Sequence, residues 1–376
     1  MTSTFREELC ALENPFAPPE ETEKLFLQAL RESFVEQRRI HPFLLEMDQA
    51  REVHPEKIAS LEEAFRIPPL YVGTLKIHDF LSVPQEDVVL TLTSSGTSGQ
   101  RTKLHFDAPS LKRMETLSQH IFSALGYGSS KPAHYLLFSY DREEASDVGT
   151  SWSTEQKMAC APAASVHWLL KRDSTGSFSF NLPAAAQLII DLASEGPLRF
   201  LGFPAFVHTA LKEAKRRHPS LQVDPESFVI AGGGWKNHAG EPMTQRDFSR
   251  FVEESCGLPV CNVRDIFGMA EHGVPYGACS LGHHHVPACA RLGVVDPLTL
   301  EPLGLGREGL LLLLSPWNSA QPNQSILSTD VAVLQENCPC GLPGTYIASV
   351  RRGGTQKHKG CAIAAQEILD RMRSAS

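Results

Sequence analysis

The sequence predicts an α/β protein with a layered core and a smaller β-rich part towards its C-terminal end. Three observations carry this. Short β-prone runs recur from Val88 onward, at Val88–Leu92, Tyr135–Tyr140, Leu198–Gly202, Phe228–Ala231 and Pro259–Ile266. Helical patterns lie between several of them, at Asp107–Leu125, Ala184–Ser194 and Ala205–Arg217. Strands alternating with helices imply sheets covered by helices. After Ala288 the helical pattern gives way to further β-prone runs, Leu292–Val295, Leu310–Leu314, Val331–Leu334 and Tyr346–Val350.

The chain before this core, residues 1–80, reads as a helical lead-in. Across Glu20–Val35, Leu25, Phe26, Ala29, Leu30 and Phe34 recur at helical spacing. Residues 1–349 are expected to form one main domain, with 279–349 as its β subdomain. A linker-like change falls at Arg351-Arg352-Gly353-Gly354. Residues 350–376 then form a hinge and a short terminal segment, with a last helix over Ala362–Arg373.

Of the 376 residues, 42% are hydrophobic and 21% charged, which is a soluble globular composition. The formal charge of −8 argues against nucleic acid as a partner. The basic run Lys212–His218 ends a helical pattern and reads as a solvated helix face. Apolar runs such as Leu310–Leu314 are far too short to span a membrane. The N-terminus lacks a basic-then-apolar signal, so no membrane partner and a cytoplasmic location are expected. Nine cysteines, an odd number, suggest metal ligands or a reactive thiol rather than a disulfide framework.

The richest segment is Leu90–Lys103, in which a β-prone run feeds Ser94, Ser95, Gly96, Thr97, Ser98 and Gly99 and ends on Arg101 and Lys103. Hydroxyls and unscreened glycine N–H groups can wrap polyphosphate oxygens, although a simple turn has the same composition. The Walker spacing G-x-x-x-x-G-K-[ST] is absent. Further on, a strand-like run ends in Gly232, Gly233, Gly234, Trp235 and Lys236. Three glycines let a backbone lie against a flat ligand, or simply make a tight turn. Another apolar run ends in Phe267-Gly268-Met269-Ala270-Glu271, and Glu271 suits a hard cation. Ile326–Asp330 places Asp330 after two hydroxyls.

Taken in order, these segments resemble the motifs of the adenylate-forming enzymes. The resemblance implies that family's large N-terminal domain of mixed sheets and helices, here with a small β subdomain and a truncated C-terminal segment. It also implies ATP and Mg2+. Ser94–Gly99 with Lys103 would hold phosphates, Phe267 would pack near the adenine, and Gly232, Gly233, Gly234, Trp235, Gly268 and Met269 would contribute to ATP binding. Glu271 would contribute to the magnesium site and Asp330 would take the ribose hydroxyls, although the family's glycine before that Asp is missing. The family's hinge pattern lies on Val350–Leu369 without a gap. Arg351, Lys357, Gly360, Ile363 and Glu367-Ile368 match it, and Gly353 and Gly354 replace its paired acids. No counterpart of the family's larger C-terminal domain, with its late lysine, is expected. Lys236, ahead of Lys103, is the candidate for that positive charge.

Cys361 follows Lys357, His358 and Lys359 and precedes the expected helix. Cations and a helix N-terminus both stabilise a thiolate, so Cys361 is the candidate nucleophile. With this cysteine, the chain resembles the acyl-protein synthetases of bacterial bioluminescence fatty-acid reductase complexes. Ser94–Gly99, Gly232–Lys236, Phe267–Pro275, Asp296–Pro302 and Lys359–Ala364 carry that likeness most specifically. It implies ATP-dependent activation of a fatty acid, transfer to Cys361, and delivery to a partner reductase or carrier protein. An acyl- or aryl-coenzyme A ligase with Cys361 incidental stays open, as does a non-catalytic scaffold. Phe138, Phe203 and Phe206 are candidates for lining the acyl pocket.

A second cluster joins Cys279 and the run His283–His285 to Cys338 and Cys340. Three of these cysteines with one histidine would make a closed structural Zn2+ site. The segment resembles that of the phenylacetate–coenzyme A ligase branch, which carries a Cys/His/Cys/Cys zinc site here, and the resemblance implies Cys279, His285, Cys338 and Cys340 as the ligands. Unligated buried cysteines beside a solvated His run are the alternative.

Overall fold

Every residue of the strand Ala133–Tyr140 is buried, as is possible only where a strand is covered on both faces. This strand lies inside a seven-stranded sheet of the computed structural model. The structure describes residues 4–93, 102–141, 149–172, 178–232 and 243–352. The sheet order is Tyr276–Gly277, Val263–Phe267, Phe228–Gly232, Leu198–Gly202, Ala133–Tyr140, Ala163–Arg172 and Phe178–Phe180. The five inner strands run parallel and the two edge strands antiparallel.

Side chains alternate across this sheet with period two. Leu136, Phe138 and Phe200 pack against residues of helices Leu182–Leu192, Pro204–Arg217 and Gln245–Cys256. Tyr135, Leu137, Leu201 and Ile230 belong to the opposite core with Met114, Leu117, Ile121 and Trp152. Those four come from helices Ala108–Ala124 and Gly149–Met158. Local chemistry sets the helix ends. Asp107, Asn181 and Thr244 accept from backbone N–H groups as N-caps, and Gly257 ends its helix at φ +72°.

A second sheet runs His284–His285, Tyr346–Arg352, Ser325–Gln335, Glu308–Leu314, Arg291–Val295 and Pro302–Leu303. Leu70–Tyr71 adds to it in parallel, opposite Ile326 and Leu327. Val88–Thr93 and Lys103–Asp107 form a separate antiparallel pair. The N-terminal helices Phe5–Cys10, Pro19–Ile40 and Pro42–Ala50 bury Leu9, Phe26, Ala29, Leu30, Phe34 and Leu44. Arg38 and Asp48 close the helix pair with two hydrogen bonds of 2.6 and 2.9 Å.

The α/β class and most expected elements are present, with several differences, and the expected last helix, Ala362–Arg373, lies outside the described residues. The run from Pro259 starts as a 3-10 turn, Val260–Asn262, and becomes a strand only at Val263. Helices Gly149–Met158 and Gln245–Cys256 and strand Ala163–Arg172 were not expected. The strand expected over Val331–Leu334 is part of the longer Ser325–Gln335. Phe138, Phe203 and Phe206 are 0, 4 and 0% exposed and contribute to a closed core. Phe206 packs 4.9 Å from Phe180 and Phe203 lies 5.6 Å from Tyr140. They fill the core between sheet and helices rather than lining a pocket. Among the described residues, no helix is long and apolar enough to cross a membrane.

Candidate functional site

Parallel α/β sheets bind ligands beyond the carboxyl ends of their strands. Here Gly232 and Phe267 end the adjacent strands Phe228–Gly232 and Val263–Phe267, with Gly232 in register with Ile266. The strands that lead into the predicted segments Gly232–Lys236 and Phe267–Glu271 therefore end side by side. Gly233, Gly234, Trp235 and Lys236 lie outside the described residues. So do Ser94, Ser95, Gly96, Thr97, Ser98 and Gly99, and Cys361 with the hinge from Gly353.

Phe267 is half-buried, with its ring 6.0 Å from Tyr276 and 6.3 Å from His284. The backbone turns tightly after it, as the N–H groups of His272 and Gly273 both donate to the Met269 carbonyl. Gly273 sits at φ +83°, and a Cβ there would lie 2.5 Å from the Trp317 ring. Trp317 Nε1 donates to the His272 carbonyl at 2.8 Å.

This turn presents Glu271, which is 7% exposed. Its Oε1 accepts from Thr102 Oγ1 at 2.9 Å, and its backbone carbonyl accepts from Asn323 Nδ2 at 3.1 Å. Among the described residues Oε2 has no hydrogen-bond partner. A held, buried carboxylate with a spare oxygen fits a hard divalent cation. Thr102 directly follows residues 94–101, so Glu271 is anchored beside the end of that predicted phosphate loop.

Behind it runs a buried polar connector, residues 315–324, that the sequence reading did not anticipate. Ser315, Asn318, Ser319, Gln321, Asn323 and Gln324 are all buried. Gln321 bonds the Lys103 carbonyl and the His105 N–H, and Arg113 bonds Trp317 and Ser319. These bonds satisfy backbone groups of the strand Lys103–Asp107 and of the connector itself. The legible signal was the Asn/Gln/Ser content of a segment otherwise flanked by apolar runs.

Two predicted nucleotide residues are engaged with protein partners. Lys103 is exposed and pairs with Asp79 at 2.6 Å. Burial pushes the Asp79 carboxyl up, but Lys103 and His105 outweigh that and hold it below the usual range. Arg351 is exposed and bridges Glu308 at 2.6 Å. Asp330 is half-buried within Ser325–Gln335, opposite Arg352, and its N–H donates to Ser328 Oγ at 2.8 Å.

One cation was missed by sequence reasoning. Lys157, in the last turn of Gly149–Met158, is only 7% exposed. Its Nζ lies 3.7 Å from where a Cβ on Gly232 would sit. Burial lowers its pKa to about 8, with Asp265 and Cys160 opposing the shift.

The structure brings the four candidate zinc ligands together. Ligand atoms of Cys279, His285, Cys338 and Cys340 all lie within 4.8 Å of one another. Cys279 and Cys338 sulfurs are 4.0 Å apart, and Cys340 Sγ is 3.3 Å from His285 Nε2. Zinc–sulfur bonds of about 2.3 Å in a tetrahedron put ligand atoms roughly 3.8 Å apart, so the residues fit zinc. Pairing of His284–His285 with Tyr346–Arg352 brings the two halves together. Gly341 turns at φ +90°, and the Leu342 N–H donates to Cys340 Sγ. His283 stays outside the four but places Nδ1 3.2 Å from Cys338 Sγ. Burial would raise the Cys279 thiol, but hydrogen bonds from His285 and nearby backbone bring it down to about 6. Burial raises Cys338, and the Cys279 charge adds to that.

A family model described as acyl-protein synthetase, LuxE, matches residues 3–370. The chain is 23% identical over 307 residues to a long-chain-fatty-acid–luciferin-component ligase of Aliivibrio fischeri, covering 81% of this chain and 79% of that protein. A protein of the same name from Vibrio harveyi is 22% identical over 310 residues, covering 82% and 80%. Among solved structures, 2-hydroxyisobutyryl-CoA ligase with 2-HIB-AMP and CoA in the thioesterification state superposes with a TM-score of 0.69 at 18% identity. That match covers 90% of this chain and 70% of the other. An open form of the same ligase gives 0.66 at 17%, covering 93% and 80%. These two likenesses concern the fold.

Proposed function

The chain belongs to the LuxE acyl-protein synthetase family, and from that premise we propose that it activates a fatty acid with ATP and loads the acyl group onto Cys361. It is an ATP-dependent acid ligase of adenylate-forming architecture. The observation that best supports a nucleotide at the strand ends is Glu271, buried and held by Thr102 beside the Ser94–Gly99 segment.

In the first half-reaction a carboxylate oxygen of the acid attacks the α-phosphorus. A new P–O bond forms, the bond to the β-phosphate bridging oxygen breaks, and pyrophosphate leaves with that electron pair. Magnesium would neutralise phosphate charge, with Glu271 among its holders. Ser94–Gly99 would donate to the departing phosphates and Asp330 would take the ribose. In the second half-reaction the Cys361 thiolate attacks the acyl carbonyl. A C–S bond forms, the C–O bond to AMP breaks, and the acyl group is stored as a thioester. A turn at Gly353-Gly354 would bring Cys361 to the carbonyl. The acyl group then passes to a reductase or carrier protein. A Zn2+ ion held by Cys279, His285, Cys338 and Cys340 would be structural, because four protein ligands leave no open position. All eight described cysteines are free thiols, which suits a reducing cytoplasm.

The test is intact-protein mass spectrometry after incubation with magnesium, ATP and a panel of carboxylic acids. The expected result is an ATP-dependent adduct of one acyl mass, removed by hydroxylamine, mapped to Cys361 and absent from Cys361→Ser. That variant should retain ATP–pyrophosphate exchange. AMP formation only on adding coenzyme A, with no adduct, would replace this reading by a coenzyme A ligase.

A further inference from the structure

Lys157 is a charged group with an unmet need. The residue is only 7% exposed, yet among the described residues its Nζ makes no hydrogen bond or ion pair. A lysine in the last turn of a helix ordinarily reaches water or the helix's own carbonyls. This one bonds none of the helix's carbonyls, and its Nζ lies against Gly232 instead. The carboxylate whose charge reaches it is Asp265. Asp265 does not pair with it; its Oδ2 lies 3.3 Å from His284 Nε2. Cys160, the other nearby group, is pushed up to about 11 by burial and so is neutral. A buried ammonium without a counter-charge is costly, and is retained where a ligand supplies the anion.

Its position says which anion. Nζ stands where the strand Phe228–Gly232 ends, and Gly232 pairs with Ile266 one residue before Phe267. That is the strand-end rim from which both predicted nucleotide segments depart. The absence of a Cβ on Gly232 leaves the ammonium open to a ligand lying on that backbone. The helix is fixed there, because the Tyr135 hydroxyl donates to the Met158 carbonyl at 2.9 Å and accepts from the Ala161 N–H at 3.1 Å. Of the other candidate cations, Lys103 spends its charge on Asp79 and Arg351 on Glu308.

We propose that the Lys157 ammonium binds the α-phosphoryl group of the nucleotide and neutralises the charge that develops there as the acid carboxylate attacks. This rests on the adenylating function proposed above. The ammonium gives up no proton in the step and acts through charge and hydrogen bonding alone.

The experiment compares wild type, Lys157→Met and Lys157→Arg. Wild-type pyrophosphate exchange with at least one acid comes first; its failure for every acid would overturn the adenylating function and this proposal with it. Given exchange, Lys157→Met should lower its rate at least 100-fold and Lys157→Arg should restore part of it. Equilibrium binding supplies a readout that does not depend on turnover. Lys157→Met should weaken AMP at least tenfold and leave adenosine within twofold. Exchange within threefold of wild type in Lys157→Met overturns the proposal. Equal loss for AMP and adenosine also overturns it, because the role is then structural. Loss confined to a fatty acid over its fatty alcohol, with AMP unaffected, overturns it in favour of a carboxylate-binding lysine. Lys157→Met replaces a buried charge by an apolar chain of similar length, and matching circular dichroism establishes that it folds. Should it not fold, the AMP-against-adenosine comparison on Lys157→Gln decides by the same limits.

Discussion

Thr102 Oγ1 donates to Glu271 Oε1 across 2.9 Å although 169 residues separate them in the chain. The bond ties the two-stranded Val88–Thr93 and Lys103–Asp107 pair to the turn that ends the parallel sheet. It fixes the carboxylate's orientation and leaves Oε2, the proposed cation ligand, without a hydrogen-bond partner among the described residues. Thr102→Val keeps the shape and removes the donor. Leaving a buried charged oxygen short of a partner costs roughly 1–3 kcal/mol. Pyrophosphate exchange should fall about tenfold or more, and the magnesium needed for half-maximal rate should rise. Glu271→Gln should show the larger loss. Magnesium titrations of the exchange rate check this, and an unchanged magnesium requirement in both variants would remove Glu271 from the metal site.

The Cys279, His285, Cys338 and Cys340 cluster predicts about one zinc per chain by elemental analysis of protein purified without chelator. Cys340→Ser removes a ligand that the Leu342 N–H already orients. It should lose the metal and lower the melting temperature by several degrees, because binding free energy of a structural site is folding free energy. The affected sheet carries Ser325–Gln335 and so Asp330. Metal loss should therefore also weaken nucleotide binding. Metal-free protein with an unchanged melting temperature would leave the cluster as four buried thiol and imidazole groups.

Gly273 is where the Glu271 turn meets the connector. At φ +83°, with Trp317 2.5 Å from the Cβ position, alanine is strained in backbone and in space. Trp317 cannot yield freely, because its Nε1 is bonded to the His272 carbonyl. Gly273→Ala should destabilise the protein by roughly 2–4 kcal/mol and lower exchange even at temperatures where it stays folded. Urea melts with exchange assays at low temperature separate the two effects.

How much of this was legible in the sequence follows from what each signal depends on. Phe228–Ala231 and Leu198–Gly202 were readable because buried parallel strands are near-continuous apolar runs. Glu271 and the candidate cluster Cys279, His285, Cys338 and Cys340 could be singled out because the proposed chemistry needs particular residue types at particular spacings. Lys157 was not. A lysine near a helix end is ordinarily exposed, and its burial here depends on the packing of Gly149–Met158 against the sheet. The helix itself was missed because its apolar content is low. The polar connector was missed for a related reason: Asn318, Gln321 and Asn323 read as loop until Lys103, His105 and Glu271 are seen to use them. Phe138, Phe203 and Phe206 show the converse error. Aromatic residues near a predicted site are as often core as pocket, and sidedness across the sheet decides which.

Lys157 also predicts a pH dependence of stability. Its pKa is lowered by burial from 10.5 to about 8 in the folded protein. The unfolded chain therefore binds more protons than the folded one between those values, and this lysine makes stability rise with pH across that window. Below about pH 8 the charge is carried in both states, and its burial costs on the order of 3 kcal/mol. Lys157→Met escapes that cost, so without ligand it should be the more stable protein at pH 7. Its advantage should shrink as pH rises from 8 towards 10.5. Burial raises the Cys10 thiol to about 12, and that group also titrates under alkaline conditions, but it is common to both proteins and cancels in the difference. Saturating AMP should reverse the order at pH 7, because only the wild type gains a counter-charge for its buried ammonium. Paired urea melts at pH 7, 9 and 10.5, with and without AMP, measure this. A stability difference that stays constant across the window would mean that Lys157 reaches solvent as an ordinary surface lysine does.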